Sequence, residues 1–331
     1  MKEMAPKSWL DAARRTMSWL STQLRADGGW THSDDCGAYF KSIPAFTAHG
    51  MLAEAQRCVN YVAKNFLTDD GDIRNSARVK SDDGVYEQHA DTYFNYLVAL
   101  GAWRLGRFDV AFPVVDHIAA RHVGATGGFL IQRAGADAVG QQDIFSTGGG
   151  TVAMLTAGRL DGALQGGQWL LNLLQRQEGS PTLYYRTDKR GQLIKEYVED
   201  EQKRYLMDPS RPDQMYVLPG TASAVLALLY QATGKEAFLE ASKSCLNRWT
   251  TEWIFDANIQ CCKHGWAAGL LYGITAEEKY RNIVERAAKS LIAMQNDEGY
   301  WPFADLSWGF CYSFNAELAY WLAEYTRLVE R

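Results

Sequence analysis

The feature that most constrains this chain is a strict alternation between two kinds of helix-forming segment. In the first kind, apolar residues recur every three or four positions, as Tyr280, Ile283 and Ala287 do, while charged residues occupy the other positions. This spacing predicts amphipathic helices with one buried stripe each. Segments of this kind lie at 9–24, 52–66, 108–122, 160–177, 235–253 and 276–295.

The second kind of segment carries few charges and many small or aromatic residues. Helices that are apolar on nearly every side are expected to be buried all round. These segments lie at 44–49, 93–105, 151–158, 214–232, 263–272 and 310–325. Short turns, often marked by glycine, follow the buried helices, whereas long connections follow the amphipathic ones.

Six two-helix units that each expose one face and bury the other close most simply into a double ring. The sequence therefore predicts an all-α (α/α)6 toroid, with amphipathic helices outside, buried helices inside and every long loop on one rim. We favour this ring over a stacked α-solenoid because the inner helices are too apolar to line an open groove. No strand set or linker marks a second domain, so residues 1–331 are expected to form one domain.

The charge pattern excludes several classes of protein. The chain has 34 Lys plus Arg, 39 Asp plus Glu and a formal net charge of −5, without a long basic run, which argues against nucleic-acid binding. No secretory signal is recognisable, and no apolar run is long enough to span a membrane. Six cysteines in a chain of 331 residues do not form a disulfide framework. We expect a cytoplasmic protein with a small-molecule substrate, and the oligomeric state is left open.

Two loops carry a motif that resembles known toroids. Segments 23–30 and 295–301 both read Gln, a short spacer and Gly-x-Trp, and both follow an amphipathic helix. They resemble the QW motifs of terpenoid cyclases and protein prenyltransferases. More distantly, they are similar to helix endings in sugar-active toroids such as unsaturated uronyl hydrolases. The resemblance implies the fold more than the reaction, because a glycine turn with a tryptophan packed back is also a plain helix ending.

A pair of carboxylates follows the first of these motifs. Ser33-Asp34-Asp35-Cys36 resembles the Asp-Cys segment from which oxidosqualene cyclases protonate an epoxide. A carboxylic acid in an apolar, aromatic-walled cavity has a raised pKa, and a second carboxylate beside it raises the pKa further. The resemblance implies that Asp35 or Asp34 is a general acid. In the alternative, the two carboxylates only cap the loop.

Candidate proton acceptors lie at the starts of two inner helices. Asp91, next to His89, resembles an aspartate at a comparable place in uronyl hydrolases, and the helix N-terminus suits it to act as a base. His264 is similar to the ring-facing histidines of sugar epimerase toroids. With nearby cysteines it could also bind zinc, but the close ligand spacing of a zinc site is missing. We therefore expect no metal and no cofactor.

The other candidates are residues expected to face the mouth of the ring and bind substrate. They are Trp30, His89, Tyr93, Asp143, Asp213, Tyr216, Trp266, Trp301, Trp308 and Tyr312. Loop 179–213 is the longest and the most charged connection. It is either a lid that supplies Arg204 or Arg211 to an anionic group, or a solvated loop.

Three functions fit these observations. We favour an enzyme of the cyclase or isomerase type, acting on a small natural-product-like substrate of terpenoid or polyketide type, with Asp35 or Asp34 as acid. The second is a carbohydrate-active enzyme, namely an unsaturated uronyl hydrolase or other glycoside hydrolase, a lyase or a sugar epimerase, with Asp91 and His264 as the acid–base pair. The third is a non-catalytic helical-repeat binding module. Resemblance of fold supplies much of this preference.

Overall fold

The computed structural model describes residues 6–76, 80, 91–132, 140–212, 214–256, 258–304 and 306–330, with the backbone alone for Pro6, Asp91 and Asp200. Its helices are α1 (Pro6–Gln23), α2 (Ser42–Ala48), α3 (Leu52–Asn65), α4 (Asp91–Arg104), α5 (Phe108–Arg121), α6 (Ile144–Thr156), α7 (Leu160–Gln175), α8 (Glu199–Tyr205), α9 (Val217–Thr233), α10 (Glu236–Trp249), α11 (Cys261–Thr275), α12 (Glu278–Ala293) and α13 (Trp308–Val329). Two 3₁₀ helices span Cys36–Ala38 and Glu252–Phe255. The strands are β1 (Gln142–Asp143), β2 (Leu183–Tyr184), β3 (Arg186–Thr187) and β4 (Leu206–Met207).

The helices form two concentric rings. Helices α2, α4, α6, α9, α11 and α13 each pack against the next, and α13 packs against α2, so the inner ring is closed. Helices α1, α3, α5, α7, α10 and α12 surround it, and α1 contacts both α12 and α13. This arrangement confirms the all-α (α/α)6 toroid that the alternating segments predict.

The third inner helix starts earlier than its glycines suggest. The sequence predicts a helix at 151–158, whereas α6 begins at Ile144 and contains Gly148, Gly149 and Gly150. A side chain at Gly149 would meet the ring of Tyr96 within 2.5 Å, and one at Gly150 would collide with Phe129. These glycines permit close packing of the inner helix and do not break it.

A tight turn with the same conformation recurs after outer helices. Its glycine has a positive φ at Gly28, Gly71, Gly127 and Gly299 (φ 91°, 83°, 91° and 88°). The turn lies against the next outer helix, as Gly28 does at the carbonyl of Arg57, and Gly299 contacts Arg15 of α1. The QW-like loops are therefore two instances of a structural contact between units, and the last instance closes the outer ring.

The long loop between α7 and α9 is folded over one side of the ring. Strand β2 pairs with β4 inside the loop, and β3 pairs with β1, which immediately precedes α6. This pairing ties the loop to the N-terminal end of an inner helix. Among the described helices, none combines the length and the apolar character that crossing a bilayer requires.

Candidate active site

A cavity of about 180 Å³ lies at the centre of the ring, beside the N-terminal ends of the inner helices. All six inner helices and the long loop contribute to its wall. The lining residues are Lys41, Tyr93, Asp143, Phe145, Val217, Leu218, Lys263, Phe310, Phe314 and Glu317 from the inner helices and their caps, and Tyr185, Arg186, Arg204, Tyr205 and Met215 from the loop. The wall therefore combines aromatic rings with a small number of charged groups, as ligand sites do.

Two lysines share one carboxylate in this wall. Lys41 Nζ lies 2.5 Å from Glu317 Oε2, and Lys263 Nζ lies 2.6 Å from Glu317 Oε1. All three side chains are buried. They come from the N-cap of α2, the first turn of α11 and the middle of α13, so the cluster joins three inner helices. We call these residues the Lys–Glu–Lys cluster.

The charges of this cluster keep Glu317 ionised. Burial alone would raise the pKa of Glu317, but the charges of Lys263 and Lys41 and their hydrogen bonds hold that pKa well below its usual range. Aromatic faces surround the lysines: Lys41 Nζ is 4.2 Å from the ring centre of Phe314, and Lys263 Nζ is 4.2 Å from that of Trp321. Cation–π attraction adds to the stability of the two buried ammonium groups.

A second carboxyl group, that of Asp143, lines the cavity from the N-cap of α6. One of its oxygens accepts a hydrogen bond from the Ser146 amide at 2.6 Å. The β1–β3 pairing places Arg186 directly opposite Asp143. Burial raises the pKa of Asp143, although the charge of Arg186 and the hydrogen bonds to the helix amides act in the opposite direction. Asp143 is thus a buried acid beside a fixed cation.

Aromatic rings and a further arginine complete the wall. Phe145 stacks on Tyr93 with 3.8 Å between ring centres, and the guanidinium of Arg186 lies 3.5 Å from the ring centre of Tyr205. Arg204 is exposed and lies at the mouth. Loop 179–213, which is expected from the sequence to be either a lid or a solvated segment, therefore contributes to the cavity wall.

The residues predicted to act as general acid lie apart from the described cavity wall. Asp35 caps the 3₁₀ helix at Cys36–Ala38, accepting hydrogen bonds from the Gly37 amide at 2.6 Å and from Asn75 Nδ2 at 2.8 Å. The side chain of Asp34 is 83% exposed and lies 3.6 Å from Arg25. Asp35 therefore occupies the capping position that was the alternative expectation, whereas Asp34 pairs with Arg25 at the surface. The inner helix begins only at Ser42, so both aspartates belong to the segment that precedes it.

Three of the aromatic residues expected to bind substrate, Trp30, Trp308 and Tyr312, pack against one another outside the described cavity wall. Trp30 stacks on Tyr312 with 4.5 Å between ring centres, and the indole of Trp301 donates to the Leu291 carbonyl at 2.7 Å. Trp308 is exposed and lies beside His32. Trp308 and Tyr312 are four residues apart on one face of α13, whereas Phe310 and Phe314, on another face, line the cavity. These ring contacts join the first loop to α13.

The remaining predicted residues fall into three groups. His264 is fully buried against the backbone of Trp249, and burial lowers its pKa to about 4, which keeps it neutral. Tyr216 is buried and donates to the Arg211 carbonyl, and Trp266 packs against Trp321. Asp91 begins α4, with its side chain undescribed, and His89 and Asp213 lie outside the described residues. Of the predicted set, the structure brings Tyr93 and Asp143 to the cavity.

The site residues predicted from the sequence do not include four charged residues of the wall: Lys41, Lys263, Glu317 and Arg186. A signal for two of them exists, because Lys263 is the single Lys, Arg, Asp or Glu in segment 263–272 and Glu317 is one of two in segment 310–325. A charge at such a position has to find a partner when it is buried. The pairing of both lysines with Glu317 could not be identified from residue spacing along the chain, because Lys41 and Lys263 are separated by more than half of its length.

No group of three His, Cys, Asp or Glu side chains in the described part of the chain is arranged to hold a metal ion. The six cysteines are buried and unbridged. The zinc alternative raised by His264 and its neighbouring cysteines therefore has no support among these residues.

Several solved structures share this fold over nearly the whole chain. A D-mannose isomerase superposes with a TM-score of 0.70 at 13% identity, covering 98% of this chain and 97% of that one. A GH76 α-mannanase from Bacteroides thetaiotaomicron gives 0.69 at 12% identity, covering 99% and 98%. A type II terpene cyclase from Scytonema, solved with merosterolic acid A, gives 0.57 at 11% identity, covering 98% and 99%.

These similarities confirm the resemblance to terpenoid-cyclase and sugar-active toroids at the level of the fold. No protein-family model matches the chain, and the comparison with curated proteins finds no significant match. Identities of 10–14% carry no information about which reaction this chain performs.

Proposed function

We propose that this chain is an enzyme that isomerises or cyclises a small organic substrate, with the carboxylic acid of Asp143 as proton donor. The observation that carries this proposal is the buried Asp143 carboxyl in the cavity wall, with its pKa raised by burial. A raised pKa keeps part of the population protonated nearer to neutral pH, which is what a general acid requires. The proposal keeps the reaction class favoured from the sequence and moves the acid from Asp35 to Asp143.

The proton transfer can be written without a cofactor. The Asp143 O–H bond breaks as its proton bonds to one carbon of the substrate's double bond. The π bond breaks, the other carbon becomes a cation, and Asp143 becomes a carboxylate. Arg186, paired opposite Asp143, stabilises that carboxylate. The carboxylate then takes a proton from a carbon next to the cation, which forms the shifted double bond and restores the acid, and this completes an isomerisation. If a second double bond attacks the cation first, a new C–C bond closes a ring, and the cyclised cation loses its proton to the carboxylate.

The aromatic wall supports a partly apolar substrate. The rings of Tyr93, Phe145, Phe310 and Phe314 line the cavity. Rings of this kind exclude water and bind an apolar skeleton.

A carbohydrate-active enzyme is the second candidate. It is supported by the D-mannose isomerase and the α-mannanase, which superpose with higher TM-scores than the terpene cyclase. Aromatic walls also bind the flat faces of sugars. In this case Asp143 would protonate a sugar oxygen or carbon, and hydrolysis would bring an oxygen atom from water into the product.

The test uses heavy water and one isosteric substitution. Wild-type protein and Asp143→Asn are incubated in D₂O with a small-molecule extract of the source cells, and products are followed by mass spectrometry. Asparagine preserves the helix cap, so the melting temperature should change little. We expect a product with one carbon-bound deuterium and no added oxygen, formed about 10²–10⁴-fold more slowly by Asp143→Asn.

Asp35→Asn is the matched control, since Asp35 is also a capping aspartate but lies outside the described cavity wall. It should retain turnover. Loss of turnover in Asp35→Asn with full activity in Asp143→Asn would overturn the assignment and restore Asp35 as the acid. Oxygen incorporation from H₂¹⁸O would instead select the carbohydrate-hydrolysing alternative.

A further inference from the structure

We infer that the substrate carries a carboxylate and that the Lys–Glu–Lys cluster binds it at the wall of the cavity. The inference rests on the proposed function, because it adds the chemical class of the substrate to the same site. It concerns residues that play no part in the proton transfer from Asp143.

The described wall of the cavity carries more cations than carboxyl groups. The described lining residues include four cations, Lys41, Lys263, Arg186 and Arg204, and two carboxyl groups, Asp143 and Glu317. Arg186 is opposite Asp143, and Glu317 is shared by two lysines. The cluster therefore has a net positive charge where it borders the cavity.

The two lysine charges of the cluster are buried. The side chains of Lys41 and Lys263 are 5% and 3% exposed, so solvent water screens their charges poorly. Removing an ammonium group from water is costly, and a nearby anion lowers that cost. A substrate carboxylate in the adjoining cavity would therefore be attracted to these ammonium groups more strongly than to lysines exposed to solvent.

Several inner helices begin at the cavity. Tyr93, Val217 and Lys263 line it from the first turns of α4, α9 and α11, and Asp143 lines it from the N-cap of α6. Helix N-termini carry partial positive charge, which favours an anion in the space they enclose. This field adds to the charge of the lysines and acts in the same direction.

The competing explanation is that the cluster only joins helices α2, α11 and α13. A purely structural cluster predicts that its variants change stability without changing the preference between charged and neutral ligands. An anion site predicts a change in that preference. Binding of a charged and a neutral molecule of equal shape separates the two explanations.

The experiment compares benzoate with benzamide by isothermal titration calorimetry. Each has one ring and one planar head group, and only benzoate is charged. We expect wild-type protein to bind benzoate at least tenfold more tightly than benzamide. Lys263→Met should reduce this preference to about twofold or less, because it removes one of the two ammonium charges at the wall. Lys263→Arg, which keeps the positive charge, should retain the preference for benzoate over benzamide.

Glu317→Gln gives a result of the opposite sign. It removes the negative charge that both lysines share, so benzoate should bind more tightly than to wild-type protein and should raise the melting temperature more. Equal affinities for benzoate and benzamide in wild-type protein would overturn the inference. So would a preference that survives Lys263→Met unchanged.

Asp143→Asn separates this inference from the proposed function. If it abolishes turnover while wild-type protein fails to distinguish benzoate from benzamide, the proposed function stands and the carboxylate site is wrong. If it keeps full turnover while the preference is present and depends on Lys263, the carboxylate site stands and the acid is misassigned.

Discussion

Glu317 and Asp72 are both buried carboxylates that lysine keeps ionised, but they lie in different kinds of place. Glu317 borders the central cavity and is shared by two lysines. Asp72 lies in the turn after α3 and accepts hydrogen bonds from Lys80 at 2.5 Å and from Asn95 at 2.9 Å. Its surroundings also include Arg74 at 3.6 Å and His117 at 3.8 Å.

The two carboxylates are alike in their electrostatics. Burial opposes ionisation of Asp72, but the charge of Lys80 and the hydrogen bonds from Lys80 and Asn95 hold its pKa well below the usual range, as Lys263 and Lys41 do for Glu317. A lowered pKa in a buried ion pair therefore does not identify a functional site. What distinguishes Glu317 is the cavity beside it and the second lysine. We assign Asp72 to stability and the Lys–Glu–Lys cluster to binding.

The largest effect that would test this comparison is expected for Asp72→Asn. The substitution leaves Lys80 buried without its carboxylate, which should lower the free energy of unfolding by about 3–5 kcal/mol in urea titrations. Asp109→Asn is the control, because Asp109 is exposed and pairs with Arg107 at the surface. This substitution should lower the free energy of unfolding by no more than about 1 kcal/mol. Similar values for the two variants would contradict the structural role of Asp72.

Acid should also destabilise the region around Asp72. Burial lowers the pKa of the neighbouring His122 to about 3, whereas the unfolded chain has a histidine pKa near 6.5. Below about pH 6.5 the unfolded chain therefore binds a proton that the native state does not, and stability falls until about pH 3. Asp72 adds to the fall below about pH 4, because its native pKa is lowered.

Urea unfolding near neutral pH and near pH 4 measures this effect. His122 should account for roughly 2–3 kcal/mol of the difference between the two conditions. His122→Gln should flatten the pH dependence, whereas His32→Gln, at an exposed position, should leave it as in wild-type protein. If the unfolding free energy of His122→Gln depends on pH as strongly as that of wild-type protein, other groups cause the acid sensitivity.

Replacing a lysine beside each carboxylate with methionine sharpens the comparison between Asp72 and Glu317. Lys80→Met removes the closest cation from Asp72, whereas Lys263→Met leaves Glu317 paired with Lys41. We expect Lys80→Met to cost about 2 kcal/mol more in unfolding free energy than Lys263→Met. The reverse order would mean that the Lys–Glu–Lys cluster is the more important of the two for stability.

The smallest effect is expected for Arg204→Ala at the mouth of the cavity. Because Arg204 is exposed, stability should change by less than about 0.5 kcal/mol. Benzoate affinity should fall roughly twofold at low salt and less at high salt, because the ions screen an exposed charge. If Arg204→Ala lowered benzoate affinity as much as Lys263→Met does, the ligand's carboxylate would lie at the mouth and not at the Lys–Glu–Lys cluster.

Several features of the site could be predicted from sequence, and others could not. Tyr93 and Asp143 follow from the rule that long loops and inner-helix N-termini meet at one rim. Trp30 and Trp301 could not be separated from cavity-lining rings, because a tryptophan that packs into a helix ending and one that faces a ligand occupy similar positions in a motif. Lys263 is visible as a lone charge in an apolar helix, but its pairing with Glu317 is not.

The sequence by itself determined the ring. Each helix carries its own periodicity, and a segment that is apolar all round must be buried whatever its neighbours are, so local pattern is enough to sort inner from outer helices. Tertiary structure alone decided which charges meet. Lys41, Lys263 and Glu317 lie on three helices that ring closure brings together, and Arg186 reaches Asp143 only through the β1–β3 pairing. Electrostatic interactions depend on distance in space, which spacing along the chain does not fix.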